Sequence, residues 1–259
     1  MRVLFIGDIV GKTGRMAIKS LLPLILNKYK VDLVLANGEN AAGGFGITEK
    51  VATELFGFGI QVITSGNHIW DKKESIPYIG REDRIVRPAN YPPGVPGIGS
   101  TIIKIREKKI GIINLSGRVF MSNIDCPFRV GIVEIERIRK ETNIILIDFH
   151  AEATSEKIAF AYYVDGKVSA VIGTHTHVQT ADEKILPGGT AYITDVGMTG
   201  PSDSVIGIDK EQIIERFLLQ MPKKFETAKG NGIFSAVVIE IAEDSGKATA
   251  IQRLMINYP

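Results

Sequence analysis

Four histidines are all that this 259-residue chain contains, and each follows an apolar run. His68 comes after Gln61-Val-Ile-Thr64, and His150 after Asn143 to Phe149. His175 and His177 come after Val168-Ser-Ala-Val-Ile172. Short apolar runs closed by glycine or a polar turn read as buried strands. In extended backbone, residues i and i+2 point the same way, so Gly173-Thr-His-Thr-His177 aims two imidazoles at one place. Two ring nitrogens converging at the carboxyl end of a strand suit a metal better than core packing. Oxygen donors occupy matching positions. Asp8 follows Arg2 to Ile6, Glu39 and Asn40 follow Asp32 to Ala36, and Asn67 directly precedes His68. The single cysteine, Cys126, provides no thiolate cluster, so a metal here must be held by nitrogen and oxygen.

Glu39 and Asp8 pose an electrostatic problem if they meet. Like charges buried together raise each other's pKa. Two divalent ions remove the conflict and leave a net positive pocket, which attracts phosphate and stabilises the charge of a phosphoryl-transfer transition state.

The elements that must position these groups follow a strand–turn–helix rhythm, the mark of stacked βα units. Strands are expected at 2–6, 32–36, 61–64, 101–105, 110–114, 144–150, 168–172 and 190–194. An antiparallel pair, 234–241 and 248–256, closes the chain. Helices are expected at 14–30, 49–57, 130–139 and 210–220, with Thr48 capping the second. Residues 77–99 are crowded with proline and glycine and read as loop. Residues 116–128 read as an irregular insertion. One domain over 1–259 is the simpler division, with about 77–128 as a partial cap within it.

A net charge of +2 gives no electrostatic argument for a nucleic-acid or membrane partner. No apolar run approaches the ~20 residues that span a bilayer. The amino end has no signal-type cleavage site, so a cytoplasmic protein is expected. Gly7-Asp-Ile-Val-Gly-Lys-Thr13 imitates a phosphate-binding loop but has three residues between its glycines where four are needed.

Gly7-Asp8, Gly66-Asn-His68 and Gly173-Thr-His-Thr-His177, with the isolated His150, resemble the motifs of calcineurin-like metallophosphoesterases. Three longer stretches resemble more closely the bacterial YmdB family of dinuclear phosphodiesterases. They are Asn37-Gly-Glu-Asn-Ala-Ala-Gly-Gly44, Asp148-Phe-His-Ala-Glu-Ala-Thr-Ser-Glu156 and Asp195-Val-Gly-Met-Thr-Gly-Pro201. The resemblance runs over essentially the whole chain. It implies an α/β fold, a four-layer α/β/β/α sandwich of mixed sheets. It also implies two divalent or mixed-valence metal ions per chain, Fe or Mn before Zn, and activity on phosphodiesters including 2′,3′-cyclic nucleotides. The wider superfamily opens on Asp-x-His, whereas position 10 here is Val10. In the YmdB-like pattern Asn40 fills that gap and Glu39 replaces the bridging aspartate. Carried over, one metal takes Asp8, Glu39, Asn40 and His177, and the other takes Glu39, Asn67, His150 and His175.

The mechanism expected from this set is in-line attack of a metal-bridging hydroxide on phosphorus, with His68 as proton donor. The expected partner is a small nucleotide phosphodiester. RNA and self-association are further candidates, and no membrane is expected. Phosphomonoester hydrolysis or trimming of RNA ends is the alternative chemistry, and a metal-containing nucleotide sensor is the alternative class. Glu152 and Glu156 are candidates to orient His150. Arg118 and Phe120 are candidates for phosphate and base contacts, weighed against ordinary surface or core duty.

Overall fold

Both faces of the central strands are apolar, and the fold buries both. The structure, a computed structural model, describes residues 1–259. From the amino end come β1 (Arg2–Ile6), β2 (Asp8–Ile9), α1 (Gly11–Tyr29), β3 (Leu33–Asn37), α2 (Glu49–Gly57), β4 (Val62–Thr64), α3 (Ile76–Ile79) and β5 (Ile85–Val86). The middle of the chain gives β6 (Ser100–Ile105), β7 (Lys108–Ser116), α4 (Pro127–Ile138), β8 (Ile145–His150), α5 (Thr154–Tyr163), β9 (Ala170–Thr174), β10 (Lys184–Ile185) and β11 (Ala191–Ile193). The last part gives β12 (Met198–Pro201), α6 (Lys210–Leu219), β13 (Gly232–Ile241) and β14 (Ala248–Tyr258).

In the first sheet β1, β3, β4 and β5 run parallel, and β13 joins β1 antiparallel. β14 closes the far side of β13, so β12, with β2 beside it, takes the β13 edge beyond the end of β1. The second sheet has the order β10-β11-β9-β8-β7-β6, parallel in the middle and antiparallel at both edges.

Alternation along each strand divides its side chains between two cores. In β1, Val3 and Phe5 face the second sheet, in a core shared with Leu33, Leu35, Ile112, Leu146 and Ile172. Leu4 and Ile6 face outward, onto Ile18 and Leu22 of α1 and Leu55 of α2. On the other side Ile113, Leu115, Ile145 and Ile147 pack against Ile135 of α4 and Phe160 of α5. Three cores between four layers make an α/β/β/α sandwich, as expected. Strands buried on both faces lose their polar–apolar alternation and read as continuous apolar runs, which is why they were visible in the sequence.

Several boundaries differ from expectation. α1 starts at Gly11 rather than at 14, because the chain turns directly from β2 into the helix through a left-handed Gly11 (φ 58°). The 77–99 stretch is not all loop. It contains the end of α3 and the two-residue β5, too short to carry a period. Residues 100–116 form the β6–β7 hairpin of the second sheet, and 117–126 is a loop at the sheet's carboxyl rim. The closing pair is antiparallel as read, but β13 lies inside the sheet, between β14 and β1.

Candidate metal centre

The polar residues at the strand ends meet where the two sheets' carboxyl rims face each other. Asp8, Glu39, Asn40 and Asn67 come from the first sheet, and His150, His175 and His177 from the second. His150 Nε2 is the hub. It lies 3.1 Å from Glu39 Oε1, 3.1 Å from Asn67 Oδ1 and 3.0 Å from His175 Nδ1. Glu39, His150 and His175 each place a ligand atom within 4.8 Å of the others. The second group adjoins it. Asn40 Nδ2 is 3.1 Å from both Glu39 Oε1 and His177 Nε2, and His177 Nε2 is 3.9 Å from Asp8 Oδ1. The seven candidate ligands thus form two sets that share Glu39. His68 stands beside them. Its backbone N–H donates to Glu39 Oε2 at 3.2 Å, and its ring Nδ1 lies 2.8 Å from Asp71 Oδ2.

The two histidines of Gly173 to His177 converge, but not by strand alternation. β9 ends at Thr174, and both rings are carried by left-handed backbone, φ 98° at His175 and 65° at His177. Such conformations cost of order 1–3 kcal/mol each in a non-glycine residue and persist only when the surroundings over-determine them. Asp195 provides much of that restraint. Its Oδ2 accepts from Thr176 N at 3.0 Å and Thr176 Oγ1 at 2.8 Å, and its Oδ1 from Gly197 N at 2.8 Å. Lys157, wholly buried on α5, donates to Asp195 Oδ2 and to Thr174 O, both at 2.7 Å. A buried ion pair therefore clamps the loop that carries both rings.

Each ring is also held from behind. Thr174 Oγ1 donates to Asp148 Oδ1 at 2.6 Å, so it must accept from His150 Nδ1 at 2.9 Å. That leaves His150 Nε2 facing the centre. His177 Nδ1 donates to Ile206 O at 2.8 Å, which turns its Nε2 inward. His175 Nε2 is 3.1 Å from Glu152. Glu152 therefore serves His175 rather than His150. Glu156 accepts the backbone N–H groups of Arg118 and Val119 and holds a loop instead. Asp71 partners His68, and Phe128 at the start of α4 packs on Phe160 in the core.

The electrostatics show acidic groups competing for few protons. Burial pushes Asp8 up to about 7, although His177 and His150 pull it down. Burial would raise Glu39 as well, but the facing His150, and then His68, hold it at about 2. Burial opposes a charged His150, yet Glu39 and then Asp8 and Asp148 raise it to about 9. His175 is driven down to about 3 by burial and by the charge on His150. In the protein alone, one imidazolium proton thus balances Glu39 at the hub. A cation placed there would take over that role and leave every imidazole neutral, the form that ligates.

Three observations fit a cation site. Asp8 Oδ1 and Asn40 Oδ1 are buried with no hydrogen-bond partner, and buried acceptors are almost always satisfied. Half a turn of the Asn40 amide would bring its oxygen to Glu39 and His177, where its nitrogen now sits. The third observation is Gly66. A Cβ there would land on Glu39 Oε2 and His150 Nε2. The expected result of Gly66→Ala is a folded protein with metal content reduced at least ten-fold. Elemental analysis alongside circular dichroism checks this.

Gly66, Asp148 and Thr174 lie inside motifs that give them no individual duty, and Lys157 lies in none. A signal did exist for two of them. A lone charge inside an apolar run, Asp148 in Ile-Leu-Ile-Asp-Phe-His and Lys157 before Ile-Ala-Phe, marks a buried charge that needs a partner.

Comparison with known proteins agrees with this geometry. The family model described as "YmdB-like protein" matches residues 4–254. A 2′,3′-cyclic-nucleotide 2′-phosphodiesterase of Bacillus subtilis is 52% identical over 257 residues, 99% of this chain and 97% of that protein. The crystal structure of a phosphatase of Mycoplasma pneumoniae superposes with a TM-score of 0.94 at 37% identity, covering 100% of this chain and 94% of that one. A hypothetical protein of Thermus thermophilus superposes at 0.92 with 42% identity, each chain covered completely. Full-length coverage at these identities leaves one assignment: this chain belongs to the YmdB-like family.

Proposed function

We propose that the chain is a metal-dependent phosphodiesterase acting on small nucleotides, 2′,3′-cyclic ones included. The observation that carries the reading is the convergence of two carboxylates, two amides and three imidazoles at one rim, with buried acceptors left unpaired. The name of the Bacillus subtilis relative supports the substrate class. Asp8, Glu39, Asn40 and His177 would hold one ion, and Glu39, Asn67, His150 and His175 the other. This nitrogen and oxygen set, free of sulfur, suits Fe or Mn, with Zn next. When bound, such a pair supplies Lewis acidity and a water activated near neutral pH. No helix is long and apolar enough to cross a membrane, and we place the activity in the cytoplasm.

The protein's own part is positioning and proton delivery. Glu39 spans both ligand sets and anchors the His68 backbone, so His68 is fixed relative to the centre. Asp71 holds its Nδ1, and the Phe45 ring meets it edge-on at 5.1 Å. Nε2 is then the nitrogen available to protonate a leaving oxygen. General acid catalysis of this kind contributes roughly 10²–10⁴-fold. His68→Ala should retain both metals and lose rate by about that factor. A parallel fall in metal content would make His68 a ligand instead. The test of the function itself is turnover of bis-p-nitrophenyl phosphate and 2′,3′-cyclic nucleotides by manganese- or iron-loaded protein, against the p-nitrophenyl monoester. Activity confined to the monoester would overturn the proposal.

A further inference from the structure

The loop 117–126 is firmly built, yet it exposes an aromatic ring. It leaves β7 at Ser116, which pairs with His150 in the second sheet, and Gly117 N donates to His150 O at 2.9 Å. Its two ends are tied by one fully buried amide. Asn90 Nδ2 donates to Ser116 O at 2.8 Å and Asp125 O at 2.9 Å, and Asn90 Oδ1 accepts from Ser116 N at 2.9 Å. The Glu156 carboxylate takes the next two N–H groups, Arg118 and Val119. Met121 packs onto the outer core of the second sheet. Between these anchors Phe120 sits in left-handed backbone, φ 61°, with its side chain 90% exposed. A bulky residue in that conformation is strained, and nothing it packs against repays the strain.

Beside the loop lies a groove of about 450 Å³, lined by Pro92, Arg118, Val119, Asn123, Ile124, Asp125 and Glu156. Pro92 follows Tyr91, whose hydroxyl is pushed up by burial and then by the charge of Glu39. The groove's walls are thus joined to the centre's surroundings at two points, by the chain at Tyr91 and by the Gly117–His150 hydrogen bond. Two residues, Arg118 and Val119, lie between Gly117 and Phe120, which keeps the two Cα atoms within roughly 10 Å of each other. A ribose phosphate places its own base within that length.

We propose that this loop is a nucleobase subsite, in which Phe120 stacks on the base of a ligand whose phosphate lies at the Glu39–His150 centre. The proposal rests on the phosphodiester reading above. Stacking on an aromatic side chain tolerates any base, so the subsite gives affinity for nucleotides as a class and little discrimination among them. Arg118 and Asp125, exposed on the same loop, frame the groove with one charge of each sign.

The experiment compares Phe120→Ala, Phe120→Trp and a control, Val133→Ala on the exposed face of α4, on two ligand pairs. The first pair is 2′,3′-cyclic AMP and glycerol 1,2-cyclic phosphate, which lacks a base. The second is 3′-AMP and ribose 3-phosphate, titrated calorimetrically into manganese-loaded protein. The expected result for Phe120→Ala is a KM for the cyclic nucleotide and a Kd for 3′-AMP raised about ten-fold or more. The base-free ligands and kcat stay at the parent values, Phe120→Trp restores affinity, and Val133→Ala matches the parent. Equal losses on both members of a pair, or no loss on either nucleotide, would overturn the subsite. If the parent protein turns over neither cyclic phosphate, the phosphodiesterase reading fails, and the 3′-AMP titration still decides whether Phe120 binds a base.

Discussion

Glu39→Gln should abolish metal loading and lower turnover of a diester by more than about a thousand-fold, the equivalent of several kcal/mol of lost Lewis-acid stabilisation. Glu39 is the residue common to both proposed ligand sets. Its Oε1 faces Asn40 and His150, and its Oε2 accepts from His68 N. An amide in its place keeps the shape but removes the charge that two cations share. Asp8 would remain, alone, against four formal positive charges. Folding should be little affected, because His150 can shed the proton that Glu39 now holds on it. Elemental analysis, bis-p-nitrophenyl phosphate kinetics and a melting curve of the metal-free variant check the three parts separately. Full metal content with low activity would make Glu39 a base rather than a ligand.

Lys157→Met is the second change with a large expected effect, and it acts through Asp195. Breaking a buried pair strands the remaining charge, at a cost of about 3–5 kcal/mol. Asp195 is completely buried and also restrains Thr176, the residue between the two left-handed histidines. Lys157→Met should therefore lower stability by that amount and weaken metal binding together. Lys157→Met combined with Asp195→Asn removes both charges and should recover most of the stability. Metal affinity should remain low, because the amide keeps only one oxygen for Thr176 and Gly197. Urea denaturation of the metal-free proteins and manganese titration distinguish the two effects. Single and double variants of equal stability would show that the pair does not hold the loop.

Much of the architecture was readable because its central strands are covered on both sides. Runs such as Leu33 to Ala36 and Ile144 to Ile147 are uninterrupted apolar stretches, and each is followed within three residues by a candidate ligand, Glu39 or His150. β5, β10 and β12 were not readable. Strands of two to four residues have no measurable period, and β12 even ends on Pro201. The histidine pair converges for a different reason than the one its spacing suggests. Spacing predicts alternation, whereas the protein uses two left-handed residues clamped by Asp195. Torsions of that kind depend on partners distant in sequence, here 19 residues on, and no local pattern reveals them. The same holds for Asn90, whose tie to Ser116 and Asp125 exists only once three separate segments have met.

The position of β13 has a consequence for biosynthesis. β1, which leads directly to Asp8, has β3 on one side and β13 on the other, and β13 begins only at Gly232. A chain emerging from the ribosome exposes that edge of β1 until more than 230 residues have been made. Joining strands 230 residues apart in sequence is slow compared with forming the neighbouring βα units. An unpaired strand edge is meanwhile a template for the wrong partner. Nascent chains stopped before Gly232 should therefore stick to one another and to chaperones and fail to retain manganese, and release of residues 232–259 should reverse both.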